Sequence, residues 1–522
     1  MPKPIRWTCP TELSAEEQRV ARALHRIGRF YVFLREIRGE LFDEVFQAEL
    51  ATVYQPRGTA PVPPALLAMV TLLQAYDQVG DADAVVTAQM DKRWQLVLGC
   101  LGATEAPFSQ GVLVTFRERM IAHDLDRKLL TRTIELAKRT GKFGWQRLQA
   151  ALDSSPLLGA GRIEDTWNLI GRALGAVVTC AAKAVDRPRA AVITEAGLTL
   201  VDRSSLKAAL DIDWDDPVAQ ATALQQLLSE VDRMERWVAA QPATTHAIPA
   251  LQDALTALRA VLTPDLEPDP TTGGRRILRG VAKGRQPSLG DPEMRHGRKS
   301  RSRPFTGYKR HLVKLLEPDL IVEAVARPAN EPEHATLAPL TAAVTRHGAL
   351  TDLWIDRGYL ASDQIPALHA RGVAVHAKPW TPRNGERFPK HAFAIRLADG
   401  IVTCPAHQTA PIRPGRSIVQ FAAETCRPCA LRQTCTTAAA AGRSISLHPQ
   451  EAFRQQLRAT TRTREGRAVL RRRTTVEHSL ARLDQMQGKK ARYKGARKNT
   501  LDLRRCATVV NLQSLARLEK VA

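Results

Sequence analysis

Apolar positions divide this chain into stretches of helical period and stretches of strand period. Leu66-Leu67-Ala68-Met69-Val70-Thr71-Leu72-Leu73 is apolar nearly all round, which predicts a buried helix, and Pro63-Pro64 suit its start. Asp81 and Ser109 are placed as N-caps of the next helices, and Gly141 as the stop after Leu129 to Thr140. Phe116, Met120 and Ile121 keep helical spacing, with Arg117 and Arg119 on the other side. That is the pattern of an ordinary surface helix, a DNA-reading helix being the alternative. Residues 12–140 are therefore expected to form a helical domain.

The pattern then changes. Leu148 to Leu152 is an apolar run that closes on Asp153, and Ser154-Ser155-Pro156-Leu157-Leu158-Gly159 predicts a strand running into a turn. Asp165 is a candidate N-cap for a helix over Trp167 to Lys183, opening a helical segment near 165–262. Residues 263–304 are rich in Pro, Gly, Arg and Lys and lack an apolar period. They read as a mobile linker or DNA-binding loop, with 275–303 too poor in apolar groups to fold alone. Phe305 to Leu316 and Leu320 to Ala326 predict two strands joined by Glu317-Pro318-Asp319. Ala335 to Thr345 predicts a helix, Leu353 to Ile355 a strand ending at Asp356, 362–370 a helix and Val373 to Ala377 a strand. A cysteine-bearing insertion and a helix around Glu477 follow.

With the insertions removed, this is the element order of an α/β, ribonuclease-H-like core. The expected divisions are a helical N-terminal domain (1–145), the first core strand (146–160), a helical insertion with a basic linker (161–304), the catalytic core (305–378), a four-cysteine zinc insertion (379–448) and a final core helix with a basic tail (449–522).

Charge sharpens the picture. The net charge is +23 over 522 residues, and it is concentrated. Residues 275–314 hold 13 Lys/Arg against 2 acids, and residues 462–505 hold 15 against 4, which is nearly the whole excess. Such a footprint fits nucleic-acid phosphate, although solvated basic faces would look the same. No apolar run reaches the roughly 18 residues needed to span a bilayer. The opening Met1-Pro2-Lys3-Pro4-Ile5-Arg6 has no signal-peptide core. A cytoplasmic, nucleoid-associated protein with no membrane partner is expected.

Four of the eight cysteines are scattered (Cys9, Cys100, Cys180, Cys506) and read as reduced packing residues. The others, Cys404, Cys426, Cys429 and Cys435, are clustered around a Cys-x2-Cys knuckle that can present two thiolates to one ion, flanking cysteines completing a tetrahedral site. Structural Zn²⁺ is the reading, with His407 the substitute ligand and unligated thiols the alternative.

Three acids carry candidate chemistry. Asp153 and Asp356 end strands, and Glu477 lies in an arginine-crowded helical stretch, Arg471 to Leu480, with Arg473 at i−4 and Leu480 at i+3 on one side. Two strand-end aspartates and a helical glutamate can hold two Mg²⁺ ions about 3.5–4 Å apart, which clamp the attacking and leaving oxygens at a phosphate. The bland readings are turn-formers for the aspartates and an i,i+4 salt bridge for Glu477. Asp165 and Glu164 are rivals to Asp153 but fit a helix start better; Asp352 rivals Asp356 but precedes the apolar strand.

Several segments resemble bacterial insertion-sequence transposases of the DDE class. Leu152-Asp153-Ser154-Ser155-Pro156-Leu157-Leu158-Gly159-Ala160-Gly161 with Glu164-Asp165-Thr166 is similar to their first-aspartate segment. Asp291-Pro292-Glu293-x-Arg295-His296-Gly297-Arg298-Lys299-Ser300 with Phe305-x-Gly307-Tyr308-Lys309 is similar to the stretch before their second strand. Asp356-Arg357-Gly358-Tyr359 resembles the second-aspartate segment. Val476-Glu477-His478-x-x-Ala481 and Gly488-Lys489-Lys490-Ala491-Arg492-Tyr493-Lys494-Gly495 resemble the glutamate segment. Pro63 to Trp94 resembles the N-terminal domain, and the four-cysteine insertion occurs in the long-chain branch.

The resemblance implies metal-dependent cleavage at terminal inverted repeats and strand transfer into target DNA. Asp153, Asp356 and Glu477 would hold Mg²⁺ or Mn²⁺, two ions per site, and a homodimer would form on double-stranded DNA. Arg473 would meet a phosphate near the site, and Arg298, Lys299, Lys309, Lys489, Lys490, Arg492 and Lys494 the backbone. Relatives often carry Tyr three residues before the Arg and Lys seven after the Glu; here those positions are Leu470 and Asp484, with Lys489 or Lys490 available to supply the charge. A non-catalytic DNA-binding protein and a structure-specific nuclease are the rival classes.

Overall fold

The computed structural model describes every residue except 1–4, 9, 25–26, 55–60, 202–204, 271–272, 301, 439 and 520–522; Cys9 falls outside the described residues. The chain separates into two compact units. One comprises 1–143, 154–332 and 478–522, and the other 144–153 and 333–477.

Six strands form a mixed sheet: β1 (Arg147–Leu158), β2 (Arg295–Ser300), β3 (Arg303–Leu315), β4 (Leu320–Pro328), β5 (Ala349–Ile355) and β6 (Ala374–His376). Their hydrogen-bonded order is β2-β3-β1-β5-β6, with β4 also on β3. The β2–β3 and β3–β4 pairs are antiparallel, and β1–β5 and β5–β6 are parallel. Residues of β1 belong to both units.

In the first unit, the helix Pro64–Asp77 is buried from Pro64 to Ala75, as its all-round apolar composition requires. Ser109 caps the helix Gln110–Ala122 by accepting from the Val112 amide, and Asp165 caps Thr166–Ala184 through the Asn168 amide. Asp81 is not a cap. Gly80 takes that position, and Asp81 instead pairs with Arg117, a nearly buried residue, while Arg119 stacks over Tyr54 at 4.2 Å. This helix therefore spends both arginines on packing, which removes the DNA-reading alternative for Arg117.

The helical insertion packs around its own apolar cluster, which includes Leu169, Val177, Leu227 and Leu258. Residues 263–304 are not a structureless linker. Leu266–Pro268 pairs with Arg275–Ile277, and Arg295–Ser300 pairs with β3. Burial explains the order: Met294 and Asp291 are fully buried, and the Asp291 carboxylate accepts from the Tyr308 hydroxyl and from the Gly495 amide at 3.0 Å. Leu266, Ala282, Gln286 and Ser288 are buried as well, at spacings that give no period in sequence.

The second basic segment also behaves differently from its charge count. The helix breaks at Gly488 (φ +85°), and a separate helix, Ala496–Glu519, packs on β4 and on Leu125–Arg139. Arg504 is buried between Glu323 (2.8 Å), Asp124 (2.8 Å) and Asp126 (3.1 Å); Arg497 also pairs with Asp126, and Arg505 with Asp502. In the first basic segment Arg310 and Lys314 are likewise buried. Part of the local positive charge is thus neutralised inside the fold.

In the second unit, β1 and β5 begin in close contact. Ala349 donates to the Gln146 carbonyl at 3.1 Å, and a Cβ on Gly348 would overlap the Trp145 carbonyl oxygen, so only glycine lets the strands approach here. Short hairpins around Phe393, Val402, Val419, Phe421 and Ile445 make a small separate core that carries the clustered cysteines. Among the described residues, no single helix is long and apolar enough to cross a membrane.

Candidate active site and cysteine cluster

Asp153 does not end β1. The strand runs on to Leu158, inside the 146–160 expected for the first core strand. Long-range pairing overrides the Ser-Ser-Pro signal here. The β1–β5 register matches Leu152 with Ile355, which puts Asp153 and Asp356 at equivalent positions one residue further on. Adjacent strands lie about 4.8 Å apart, and paired residues share a face. Asp356 keeps an extended backbone (φ −76°, ψ 162°) before the 3₁₀ turn Arg357–Ala361.

Glu477 enters from a helix, but not the continuous one expected. One helix ends at Arg471 and the next runs Thr474–Gln487, with Arg472 and Arg473 in the turn between. Arg473 Nη1 lies 2.6 Å from Asp153 Oδ2, and its Nη2 lies 2.5 Å from Glu477 Oε1. The i,i+4 salt bridge anticipated for Glu477 is present, and the same guanidinium reaches Asp153 as well.

Period-2 alternation sets Gln149 and Asp153 of β1, and Asp352, Trp354 and Asp356 of β5, on one face. Asp352 is inside β5, not before it, and bonds His376 Nε2 at 2.9 Å. Burial, which raises the Asp352 carboxyl, is outweighed by hydrogen bonds from His376, Thr351 and Gln149, which hold it below the usual range. Trp354 donates Nε1–H to the Val469 carbonyl at 2.9 Å, stacks on His376 at 4.4 Å, and lies under the Arg472 guanidinium at 4.9 Å. Arg472 also bonds Gln149 at 2.9 Å. These contacts tie the turn bearing Arg473 to the strand bearing Asp356.

Sequence reasoning did not single out Trp354 or Arg472. Their proximity in sequence to Asp356 and Arg473 was the available signal. It also missed Glu333, whose carboxylate lies beside Gly358.

Apart from Arg473, the basic candidates are in the first unit. Arg298, Lys299, Lys489, Lys490, Arg492 and Lys494 are exposed, whereas Lys309 is half-buried and donates to the Glu331 carbonyl at 3.1 Å. Asp484, at the position where relatives carry Lys, forms an ion pair with buried Arg310. Burial pushes its carboxyl up, with Arg310, Lys299 and Lys489 opposing. It is a packing partner for Arg310, so the substitution has a structural reason.

Cys404, Cys426, Cys429 and Cys435 line one cavity of ≈ 30 Å³, together with Phe388, Phe421 and Arg443. His407 is not one of its lining residues. Burial pushes the Cys435 thiol up, and the Arg443 guanidinium opposes it. Among the described residues, no three His, Cys, Asp or Glu side chains are arranged as a ready-made metal cage. By donor type alone, thiols suit Zn²⁺ and carboxylate oxygens suit a hard divalent cation.

A mixed α/β fold that brings carboxylates together beside a strand end is a class that includes metal-dependent phosphoryl-transfer enzymes. Family comparisons make this specific: residues 403–516 match the Transposase DDE domain, and residues 22–119 match the Transposase domain (DUF772). These two matches indicate an insertion-sequence transposase of the DDE class. A DDE domain implies a ribonuclease-H-like core, DNA as substrate and a metal-dependent enzyme, and the mixed sheet is compatible with that core. Glu477 and the four cysteines fall inside the first match; Asp153 and Asp356 lie outside both. No curated protein and no solved structure matches the chain.

Proposed function

We propose that this transposase binds the terminal inverted repeats of its element as a dimer, cleaves the DNA ends and joins them to target DNA. Asp153, Asp356 and Glu477 are assigned as the catalytic carboxylates, holding two Mg²⁺ or Mn²⁺ ions. What supports this reading is that β1 and β5 pair in parallel up to Leu152 and Ile355, one residue before Asp153 and Asp356, and that Arg473 bonds both Asp153 and Glu477. When bound, the metal supplies Lewis-acid stabilisation of the reacting phosphate oxygens. The three side chains supply acceptor oxygens from a rigid strand pair and a helix, and Arg473 supplies a guanidinium suited to a phosphate.

The N-terminal helices, within which the second family match falls, are assigned to end binding and dimerisation. Exposed Arg298, Lys299, Lys489, Lys490, Arg492 and Lys494 are assigned to the DNA backbone, as is the less exposed Lys309. The four cysteines are assigned to one structural Zn²⁺, four thiolates leaving no open position for water. A cytoplasmic, nucleoid-associated location goes with this role.

The test is metal-dependent cleavage of DNA carrying the flanking element ends. Asp153→Asn, Asp356→Asn and Glu477→Gln are each expected to reduce cleavage to background while retaining DNA binding. Near-wild-type cleavage by any of them removes that residue from the assignment. Cleaved ends that never join to target DNA would favour a nuclease instead.

A further inference from the structure

We infer that Arg473 is a latch on the acidic cluster, so that the enzyme takes up its divalent cation readily only after DNA phosphate has drawn this arginine away. The inference rests on the assignment of Asp153 and Glu477 as metal-holding carboxylates. It adds an order of events to that assignment: DNA first, metal second.

The geometry carries the argument. A single guanidinium bonds Asp153 through Nη1 at 2.6 Å and Glu477 through Nη2 at 2.5 Å. A guanidinium is permanently charged and has donors only, so each bond uses an oxygen lone pair that a cation would otherwise take. An exposed i,i+4 pair between Arg473 and Glu477 alone would contribute little. Reaching Asp153 on β1 is what a simple helix pair does not do.

The surroundings suit a side chain that moves on a fixed base. Arg473 lies in the turn between two helices, outside either run of helical residues. Its neighbour Arg472 is anchored to Gln149 and over Trp354. The backbone is thus tethered through Arg472, while the Arg473 side chain is 26 % exposed and within reach of an incoming group. A phosphate accepts two parallel N–H bonds from one guanidinium, as a carboxylate does, and can therefore compete for it. Once Arg473 turns to a phosphate, both carboxylates lose this guanidinium from their oxygens, and their affinity for a divalent cation rises. By linkage, the factor by which DNA strengthens metal binding equals the factor by which metal strengthens DNA binding.

The test uses the full chain and Mn²⁺ binding, followed by electron paramagnetic resonance, with and without a random-sequence DNA duplex. Wild type is expected to bind Mn²⁺ weakly alone and more tightly with duplex, by about tenfold, within the usual range for coupled sites. Arg473→Gln is expected to bind Mn²⁺ about tenfold more tightly than wild type without DNA, and to gain little more when duplex is added. Arg473→Lys keeps the charge but cannot span two carboxylates with a fork, and is expected to fall between; it also serves if the Gln variant folds poorly. Equal Mn²⁺ affinity for wild type and both variants in the absence of DNA would overturn the latch. Asp153→Asn in the Arg473→Gln background separates the two ideas. Loss of the tight Mn²⁺ site supports both, whereas unchanged binding overturns the carboxylate assignment and the latch with it.

Discussion

Trp354 offers the sharpest test of how the candidate site is held. Its indole is 1 % exposed, donates to the Val469 carbonyl at 2.9 Å, and lies beneath Arg472. Trp354→Phe keeps a ring but deletes the N–H and half of the stacking surface. The Val469 carbonyl is only partly buried, so its lost partner costs at the lower end of about 1–3 kcal/mol. The weakened cation–π contact adds a share of about 0.5–1 kcal/mol. A loss near 2 kcal/mol is therefore expected, local to the helix Arg464–Arg471 and the turn after it. Amide hydrogen exchange reads this directly: protection over 464–473 should fall about 30-fold, since about 1.4 kcal/mol is a factor of ten. Because the same turn aims Arg473 at Asp153, cleavage should fall as well, by up to about 10²-fold for a displacement near 1 Å. Exchange within twofold of wild type together with unchanged cleavage would show that Trp354 does not hold this turn.

Glu451 is 2 % exposed and pairs with Lys390 at 2.5 Å and Arg458 at 2.7 Å. Burial alone would raise its carboxyl; the bonds from Lys390, the His448 amide and Arg458 outweigh that and hold it below its usual 4.5. A lowered folded value means stabilisation present above pH 4.5 and lost as pH falls through the lowered value. Glu451→Gln should accordingly flatten the acid limb of a melting-temperature profile, and an unchanged limb would show that the ion pairs contribute nothing. Zinc analysis should find one ion per chain in wild type and none in the Cys426→Ser/Cys429→Ser protein; equal zinc in both rules the site out. Replacing Lys489, Lys490, Arg492 and Lys494 with Gln should weaken binding to all DNA sequences alike, flattening the salt slope by about 0.9 per lost contact. Loss of sequence preference at constant slope would mean that these side chains read bases.

Local signals were legible where the physics is local. The capping roles of Ser109 and Asp165, the all-apolar helix after Pro63 and the strands on either side of Glu317-Pro318-Asp319 all depend on neighbours within a few residues. Residues 263–304 were misread because their order comes from distant partners: Asp291 is held by Tyr308 and Gly495, neither of which is visible in the local composition. The first core strand was expected over 146–160 and is found at Arg147–Leu158, but Asp153 was taken as a strand end because the pairing that carries the strand on is not local.

The sequence by itself determined the family, the three acidic candidates and the clustered cysteines, because these depend on residue identity and order along the chain. Charge was its weakest guide. A count of Lys and Arg cannot separate Lys489 and Arg492, which face solvent, from Arg310, Arg504 and Arg505, which are buried against acids or backbone carbonyls. Only the tertiary structure decided that β1 and β5 pair in parallel up to Leu152 and Ile355, next to Asp153 and Asp356, and that Arg473 joins Asp153 to Glu477. The reason is range: strand register and ion pairing between residues some 320 positions apart are set by what packs across the fold, which no local window of sequence contains.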